Sequence, residues 1–267
     1  MHRRFILGPL TALSVVALVA MWALMAPRPA AADDLASLNQ PVSAELMARL
    51  ERVSEHDLTS TPQLKTVAIK PIQGGAAPST GLPLVLYMGA DFCPYCAALR
   101  WPLALALMRF GDLSGLRYML SSGSDVYPDT ATFTFLDTRL ESDLIDFQAT
   151  ELEDRDKKKL QKPDARAGDI FERFDKKPYT NYAGSIPFLY LDGRYVEVGS
   201  PFSPDSLKGM DWKQITAQLE SGHGKAWEDI IGEANQLTAA VCILTQGKPD
   251  EVCTAPGIAA AAAGLAQ

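Results

Sequence analysis

The sequence is poor in histidine and carries no excess of basic residues. It contains three histidines among 267 residues, and none is close to a cysteine along the chain, which argues against a Cys–His protease. Lys and Arg total 25 against 32 Asp and Glu, which gives a formal net charge of -7. Because domains that bind nucleic acids are normally basic, this balance argues against that class as well.

Two common catalytic motifs are absent. The serines around Gly123 form no Gly-x-Ser-x-Gly elbow, and no glycine-rich stretch continues into Gly-Lys-Ser/Thr. We also find no internal repeat. With 47% hydrophobic and 21% charged residues, the composition is typical of a globular protein. The length suits one elaborated domain or two small ones.

The N-terminus has the pattern of an export segment. His2–Arg4 is basic, Phe5–Met25 is almost wholly apolar, and small residues lead to Ala32. This pattern predicts a secretory signal within residues 1–32, cleaved near Ala32, or an uncleaved membrane anchor over residues 5–25. In either case we expect the rest of the chain to be extracytoplasmic. No cysteine lies directly after the apolar run, so a lipid-modified cysteine is excluded at that position.

Four cysteines are present, and two of them form the motif Cys93-Pro94-Tyr95-Cys96. A buried strand is predicted over Leu82–Met88 and a helix from Cys93 to about Phe110. At a helix start, free backbone N–H groups and the helix dipole stabilise a thiolate, so the pKa of Cys93 should be lowered. We expect Cys93 to attack a partner sulfur and Cys96 to release the product. Zinc sites and structural disulfides also use this spacing.

A hairpin is predicted later in the chain, from Ile186 to Val198 with Asp192-Gly193 at its turn. Its first residues are Ile186-Pro187, and a proline before a strand can adopt the cis form at modest cost. The ring and the flanking backbone could then face the two sulfurs. We therefore expect Pro187, Ile186 and Tyr95 to contact a substrate.

Together these features resemble the thioredoxin superfamily. The residues that carry the resemblance are Leu84–Tyr87, Ala90–Cys96, Pro102 and Ser185–Pro187. It implies that Cys93 is the nucleophile, Cys96 the resolving thiol and Pro187 the cis-proline of the substrate groove. More narrowly, the chain resembles an uncharacterised bacterial exported family, domain of unknown function 929, on Tyr87–Ala98, Arg100-Trp101, Ser121-Ser122, Ser124–Pro128, Gly184–Phe188, Leu237–Cys242 and Cys253.

The resemblance implies an α/β protein with a thioredoxin-like fold, an insertion between the CxxC helix and the cis-Pro strand, and additional C-terminal helices. We expect an N-terminal extension and linker over residues 33–80, with a helix at Ser43–Ser54 and a strand at Leu64–Ile69. The thioredoxin-like domain is expected over residues 81–253, with the insertion at about 124–182. Residues 254–267 are expected to be a disordered Ala-rich tail.

One departure from the superfamily concerns acidic residues. The predicted strand Leu84–Met88 has no carboxylate, and the nearest one is Asp91, two residues before Cys93. Its charge would oppose formation of the Cys93 thiolate, against the helix dipole.

Cys242 and Cys253 are eleven positions apart near the end of the chain. A structural disulfide is the favoured interpretation, because most disulfides of exported proteins are structural. A shuttle that relays electrons to Cys93 is a second interpretation. A zinc site built from all four cysteines is a third, which the long spacing disfavours.

The expected function is an exported thiol–disulfide oxidoreductase that acts through Cys93 and Cys96, with no cofactor and no metal. Its partners would be exported cysteine-containing proteins or a membrane redox partner, and not nucleic acid. It would contact the membrane through its N-terminal segment if that segment is uncleaved. The alternative is a non-enzymatic exported thioredoxin-like binding module with two structural disulfides. Oxidation, reduction and isomerisation all remain open.

Overall fold

A computed structural model describes residues 32–62, 64, 67–74 and 79–265. The signal or anchor predicted over residues 1–32 therefore lies outside the described residues, apart from Ala32. Among the described residues, no helix combines the length and the apolar character needed to cross a membrane.

The described strands form a five-stranded mixed sheet and two small two-stranded sheets. The strand bounds are β1 Lys70–Pro71, β2 Leu84–Gly89, β3 Asp112–Ser114, β4 Arg117–Leu120, β5 Ala131–Thr134, β6 Arg139–Glu141, β7 Asp146–Glu151, β8 Phe188–Leu191 and β9 Tyr195–Val198. The order in the main sheet is β1-β9-β8-β2-β7, while β3 pairs with β6 and β4 with β5.

Strand β2 lies inside the main sheet because its sequence is a continuous apolar run. All six of its residues are buried, as expected for a strand covered on both faces. It pairs in parallel with β7 and antiparallel with β8. Strands β8 and β9 form the predicted hairpin, whose turn residues Asp192 and Gly193 have φ of 38° and 75°. That prediction is confirmed.

Helices cover both faces of this sheet. Their bounds are α1 Ala32–Ala36, α2 Ala44–His56, α3 Pro94–Met108, α4 Ala165–Phe174, α5 Trp212–Ser221, α6 Lys225–Leu244, α7 Asp250–Cys253 and α8 Pro256–Leu265, with short 3-10 helices at Asp57–Thr59 and Pro204–Leu207. Helix α2 confirms the helix expected at Ser43–Ser54. Ser43 caps it by accepting a hydrogen bond from the backbone N–H of Leu46.

Alternation along β2 divides the core into two parts. Val85 and Tyr87 point into the larger cluster, which includes Trp101 of α3 and residues of α2, α5 and α6. Leu84, Leu86 and Met88 point to the other face, where they belong to a smaller cluster with Phe174 of α4. The CxxC helix α3 is therefore buried between the sheet and further helices, and thirteen of its fifteen residues are buried.

Part of the range 124–182, expected to be an insertion, belongs to the main sheet and its helices. Strand β7, Asp146–Glu151, belongs to the main sheet and pairs with β2 along its whole length. Helix α4 packs on the face beside Met88. The distance of 94 positions between Cys93 and Pro187 therefore includes a strand and a helix of the main architecture. The two small sheets occupy residues 112–141.

Two further expectations differ from the structure. The described residues of Leu64–Ile69 are not in a strand, and only Lys70–Pro71 pairs with β9. Within the tail expected to be disordered, Pro256–Leu265 forms helix α8, in which Ile258 is 1% exposed. An alanine-rich segment is low in complexity, but alanine is also the best helix former. Packing against an apolar neighbour therefore suffices to order the segment as a helix. That neighbour is α6.

The core also contains a pair of carboxyl groups. Glu197 on β9 and Glu233 on α6 are 1% and 0% exposed, and they lie close enough for each to affect the pKa of the other. Among the described residues, no hydrogen-bond partner is found for any of their four carboxylate oxygens. Two carboxylates repel each other, so this buried pair requires at least one of the two groups to be protonated.

Candidate functional site

The site begins where β2 ends. Backbone hydrogen bonds hold the connecting loop on both sides. The N–H of Asp91 donates to the carbonyl oxygen of Glu153 (2.8 Å), and the carbonyl oxygen of Phe92 accepts from the N–H of Ser122 (2.9 Å). Cys93 then occupies the N-cap position of α3, and Pro94 follows at the first helical position, where its missing N–H costs no hydrogen bond. The sequence order strand, loop, CxxC, helix therefore fixes both sulfurs at a helix N-terminus.

The two cysteines of the motif are free thiols with different environments. Cys93 is 6% exposed and Cys96 is wholly buried. The Cys93 sulfur accepts a hydrogen bond from the backbone N–H of Cys96 at 3.3 Å. The side-chain hydrogen bond with Cys96 lowers the pKa of Cys93 most, and this N–H and the charge of Arg100 lower it further, against the effect of burial. Burial raises the pKa of Cys96 well above its ordinary value. Cys93 is therefore the more acidic thiol.

The loop before β8 contacts the thiols. The Ile186–Pro187 peptide bond is cis, and Ile186 packs with Cys93 and Cys96 in one small apolar cluster. The loop is held at both ends: the N–H of Ser185 donates to Asp175 Oδ2 at 2.8 Å, and the carbonyl of Pro187 accepts from the N–H of Gly199 at 2.8 Å. The structure thus brings Ile186 together with the two thiols, with Pro187 next to it in the chain.

Aromatic and apolar side chains lie on the solvent side of the motif. Tyr95 is 39% exposed, and its ring packs edge-to-face against Tyr127 with centroids 5.9 Å apart. Val126, beside Tyr127, is 73% exposed. Phe92 is partly buried against the cysteines, and Lys157 lies over its ring at 5.0 Å. A partner that reaches Cys93 would therefore meet a largely apolar surface.

A buried ion cluster lies one helical turn below Cys96. Arg100, which is 0% exposed, donates from Nε and Nη2 to the two carboxylate oxygens of Glu151 at 3.0 and 2.6 Å. Its Nη2 also contacts Asp91 Oδ1 at 3.4 Å. Glu151 ends β7 and accepts a further hydrogen bond from the backbone N–H of Phe135. The cluster therefore joins α3 to the end of β7 and to the loop that carries Cys93.

Asp91 is the weaker partner of Arg100, and this determines its charge. Burial raises the pKa of Asp91 to about 7, and the negative charge of Glu151 raises it in the same direction, while Arg100 opposes both. Near neutral pH, Asp91 is therefore only partly ionised. The expected opposition between Asp91 and the Cys93 thiolate is reduced accordingly, because a protonated carboxyl carries no charge.

No role for Arg100 or Glu151 follows from the local sequence pattern. Arg100 had a detectable signal, because it is the one charged residue within Pro94–Met108, which is otherwise apolar. A lone charge in a buried helix requires a partner. The identity of that partner had no local signal, since Glu151 is 51 positions away and is brought close only by the pairing of β7 with β2.

The second pair of cysteines is joined. Cys242 near the end of α6 and Cys253 at the end of α7 form a disulfide with Cα atoms 5.6 Å apart. The pairing therefore agrees with the expectation of a disulfide at these positions. Within the described residues, no group of three or more His, Cys, Asp or Glu side chains is arranged to hold a metal ion.

Comparison with protein families gives one match for this site. Residues 72–168 match the model of a family described as Domain of unknown function (DUF929). This confirms the expected likeness to that family over a range that contains β2, both thiols, Arg100 and Glu151. The range ends before Ile186–Pro187. No curated protein and no solved structure matches the chain.

Proposed function

We propose that this chain is a thiol–disulfide oxidoreductase with a thioredoxin-like fold that acts through Cys93 and Cys96. The observation that carries the proposal is the asymmetry of two free thiols at one helix N-terminus. Cys93 has a lowered pKa and retains some exposure, whereas Cys96 has a raised pKa and none. A nucleophile and a resolving thiol require this division of properties.

The reaction follows from these positions. The Cys93 thiolate attacks one sulfur of a partner disulfide, and the other partner sulfur leaves as a thiolate and takes up a proton. Cys96 then loses its proton and attacks the Cys93 sulfur of the mixed disulfide, which releases the second partner thiol. The protein ends with a Cys93–Cys96 disulfide, and the partner has gained two electrons and two protons. The reverse sequence oxidises a dithiol partner.

The topology supports the thioredoxin-like part of the proposal. The CxxC helix lies between the parallel strands β2 and β7 in the chain, and the antiparallel hairpin β8–β9 lies on the other side of β2. The cis bond before Pro187 and the packing of Ile186 on the thiols fit the expected substrate groove. The exposed side chains of Tyr95 and Val126 would suit the apolar segments of an unfolded partner.

Location and partners complete the proposal. The basic start and apolar run of residues 1–25 favour export, and the Cys242–Cys253 disulfide is consistent with an oxidising compartment. The partners would be exported cysteine-containing proteins or a membrane redox protein.

One observation favours a non-enzymatic binding module instead. Cys93 is only 6% exposed, and Phe92 and Ile186 pack against the cluster that holds it, so little of its surface is open to a partner disulfide. In this second candidate the motif stabilises the fold, and its apolar surroundings bind a partner without sulfur exchange.

The experiment compares Cys93→Ser with Cys242→Ser in insulin reduction and in oxidation of reduced ribonuclease. We expect Cys93→Ser to abolish both activities and Cys242→Ser to retain them at a temperature where it is folded. A Cys96→Ala variant should trap mixed disulfides with exported proteins, because the resolving attack is missing. Absence of exchange activity in the wild-type protein, together with failure to trap any partner in intact cells, would favour the binding module.

A further inference from the structure

The ion cluster beside the thiols has one cation and two carboxyl groups. Glu151 holds the guanidinium of Arg100 through two hydrogen bonds, whereas Asp91 has one longer contact of 3.4 Å. The three groups therefore sum to zero charge when Asp91 is protonated and to one negative charge when it is ionised. All three side chains are buried, so solvent screens this difference only weakly.

The position of Arg100 connects this charge to the thiols. It follows Cys96 by four residues and Cys93 by seven on the same helix, so the three side chains lie on one face of α3. Its charge adds to the hydrogen bond with Cys96 in lowering the pKa of Cys93. It also opposes the effect of burial on the pKa of Cys96. A change in how far the carboxyl groups neutralise the charge of Arg100 therefore changes the pKa of both thiols.

A cavity of about 500 Å³ reaches the side chain of Asp91, which is 3% exposed. Its charged lining residues are Asp91, Asp137, Asp154, Asp156, Arg117 and Arg155. Within the part of the chain that the structure describes, neither thiol of the motif lines it. Asp91 can therefore exchange a proton with water without passing Cys93.

We propose that Asp91 is a positioning residue whose protonation state sets, through Arg100, how readily Cys93 becomes a thiolate. When Asp91 loses its proton to the cavity, it takes up part of the positive charge of Arg100 and adds a negative charge to the cluster. Cys93 then loses its own proton less readily. The proposal rests on the proposed function, because it concerns the sulfur that would carry out the exchange. Other charged or titratable groups near Cys93 are Cys96, Tyr87 and Tyr95. Those near Asp91 are Glu151 and Asp154, together with Asp137, Asp156, Arg117 and Arg155 in the lining of the cavity.

The test is the pH profile of alkylation of Cys93 by iodoacetamide, measured on the reduced motif, with the modified cysteine identified by peptide mass spectrometry. In Asp91→Asn the cluster stays neutral at every pH, so we expect the midpoint of the alkylation profile to lie about 0.5–1 pH unit below that of the wild-type protein. The matched control is Asp156→Asn, an exposed aspartate of the same cavity, which should keep the wild-type profile.

Superimposable profiles of Asp91→Asn and the wild-type protein would overturn the proposal. If Asp91→Asn does not fold, Asp91→Ser removes the same charge and is compared with the wild-type protein in its place. Alkylation involves no disulfide, so the result is separate from the proposed function. If the profile of Asp91→Asn is shifted but the wild-type protein does not reduce insulin, the coupling of Asp91 to Cys93 is supported and the oxidoreductase function is contradicted. If the wild-type protein reduces insulin but the profile is unshifted, the function is supported and the coupling is contradicted.

Discussion

The buried carboxyl pair Glu197–Glu233 leads to a prediction about how stability depends on pH. Among the described residues no hydrogen-bond partner is found for its four oxygens, and two ionised carboxylates would repel each other there, so the pair must keep at least one proton. We consider Glu233→Gln. Glutamine has nearly the same size and can donate a hydrogen bond to Glu197, but it cannot ionise.

The magnitude follows from the shifted pKa values. Burial raises the pKa of Glu197 to about 7 and that of Glu233 well above 4.5. A carboxyl with a raised folded-state pKa contributes stability that is complete below its unfolded pKa of about 4.5 and is lost as the pH rises through the folded value. For Glu197 the shift corresponds to about 3 kcal/mol. Glu233 contributes a loss of the same sign, because burial and the charge of Glu197 raise its pKa as well.

The expected result is therefore a variant that is more stable at high pH. At pH 8 the free energy of unfolding of Glu233→Gln should exceed that of the wild-type protein, by at most the roughly 4 kcal/mol that one proton contributes over three pH units, and at pH 5 the two should agree within about 1 kcal/mol. Urea unfolding followed by circular dichroism at several pH values measures both quantities. Glu228→Gln removes one exposed negative charge from the same helix and serves as the control. Parallel stability curves for Glu233→Gln and the wild-type protein would refute the reasoning.

Two further predictions concern the C-terminal part of the chain. Replacing Cys242 and Cys253 by serine opens a loop of eleven residues and should lower the free energy of unfolding by about 3 kcal/mol while exchange activity persists; a folded but inactive variant would instead indicate an electron relay. Gly257→Ala should cost about 1–3 kcal/mol, because its Cβ would lie 2.6 Å from the carbonyl oxygen of Leu58, whereas Gly264→Ala on the same helix meets no atom within 4 Å and should not destabilise; equal melting temperatures for both would contradict the packing of α8.

The local parts of the fold could be predicted from the sequence. The buried strand before the motif, the helix after it and the hairpin at Asp192-Gly193 each have a signal within a short window, from apolar runs or turn residues. The placement of Asp146–Glu151 had no such signal. Its membership of the main sheet depends on pairing with a strand about 60 positions earlier, which no local pattern encodes.

The candidate site divides in the same way. Cys93, Cys96 and Ile186-Pro187 were recognisable as motifs. The Arg100–Glu151 contact was not, because it joins a helix to a distant strand end. The prediction for the Ala-rich tail differs from the structure for another reason. Its composition is typical of disorder, but α6 provides an apolar surface on which an alanine-rich helix packs.

The spacing of the cysteines affects how the unfolded chain oxidises. Cys242 and Cys253 are eleven positions apart, whereas a wrong pair such as Cys96 with Cys242 would close a loop of about 150 residues. The entropy of loop closure favours the short ring by about 2 kcal/mol. Material refolded in air should therefore reach the correct sulfur connectivity without a shuffling catalyst, which makes production from inclusion bodies practical.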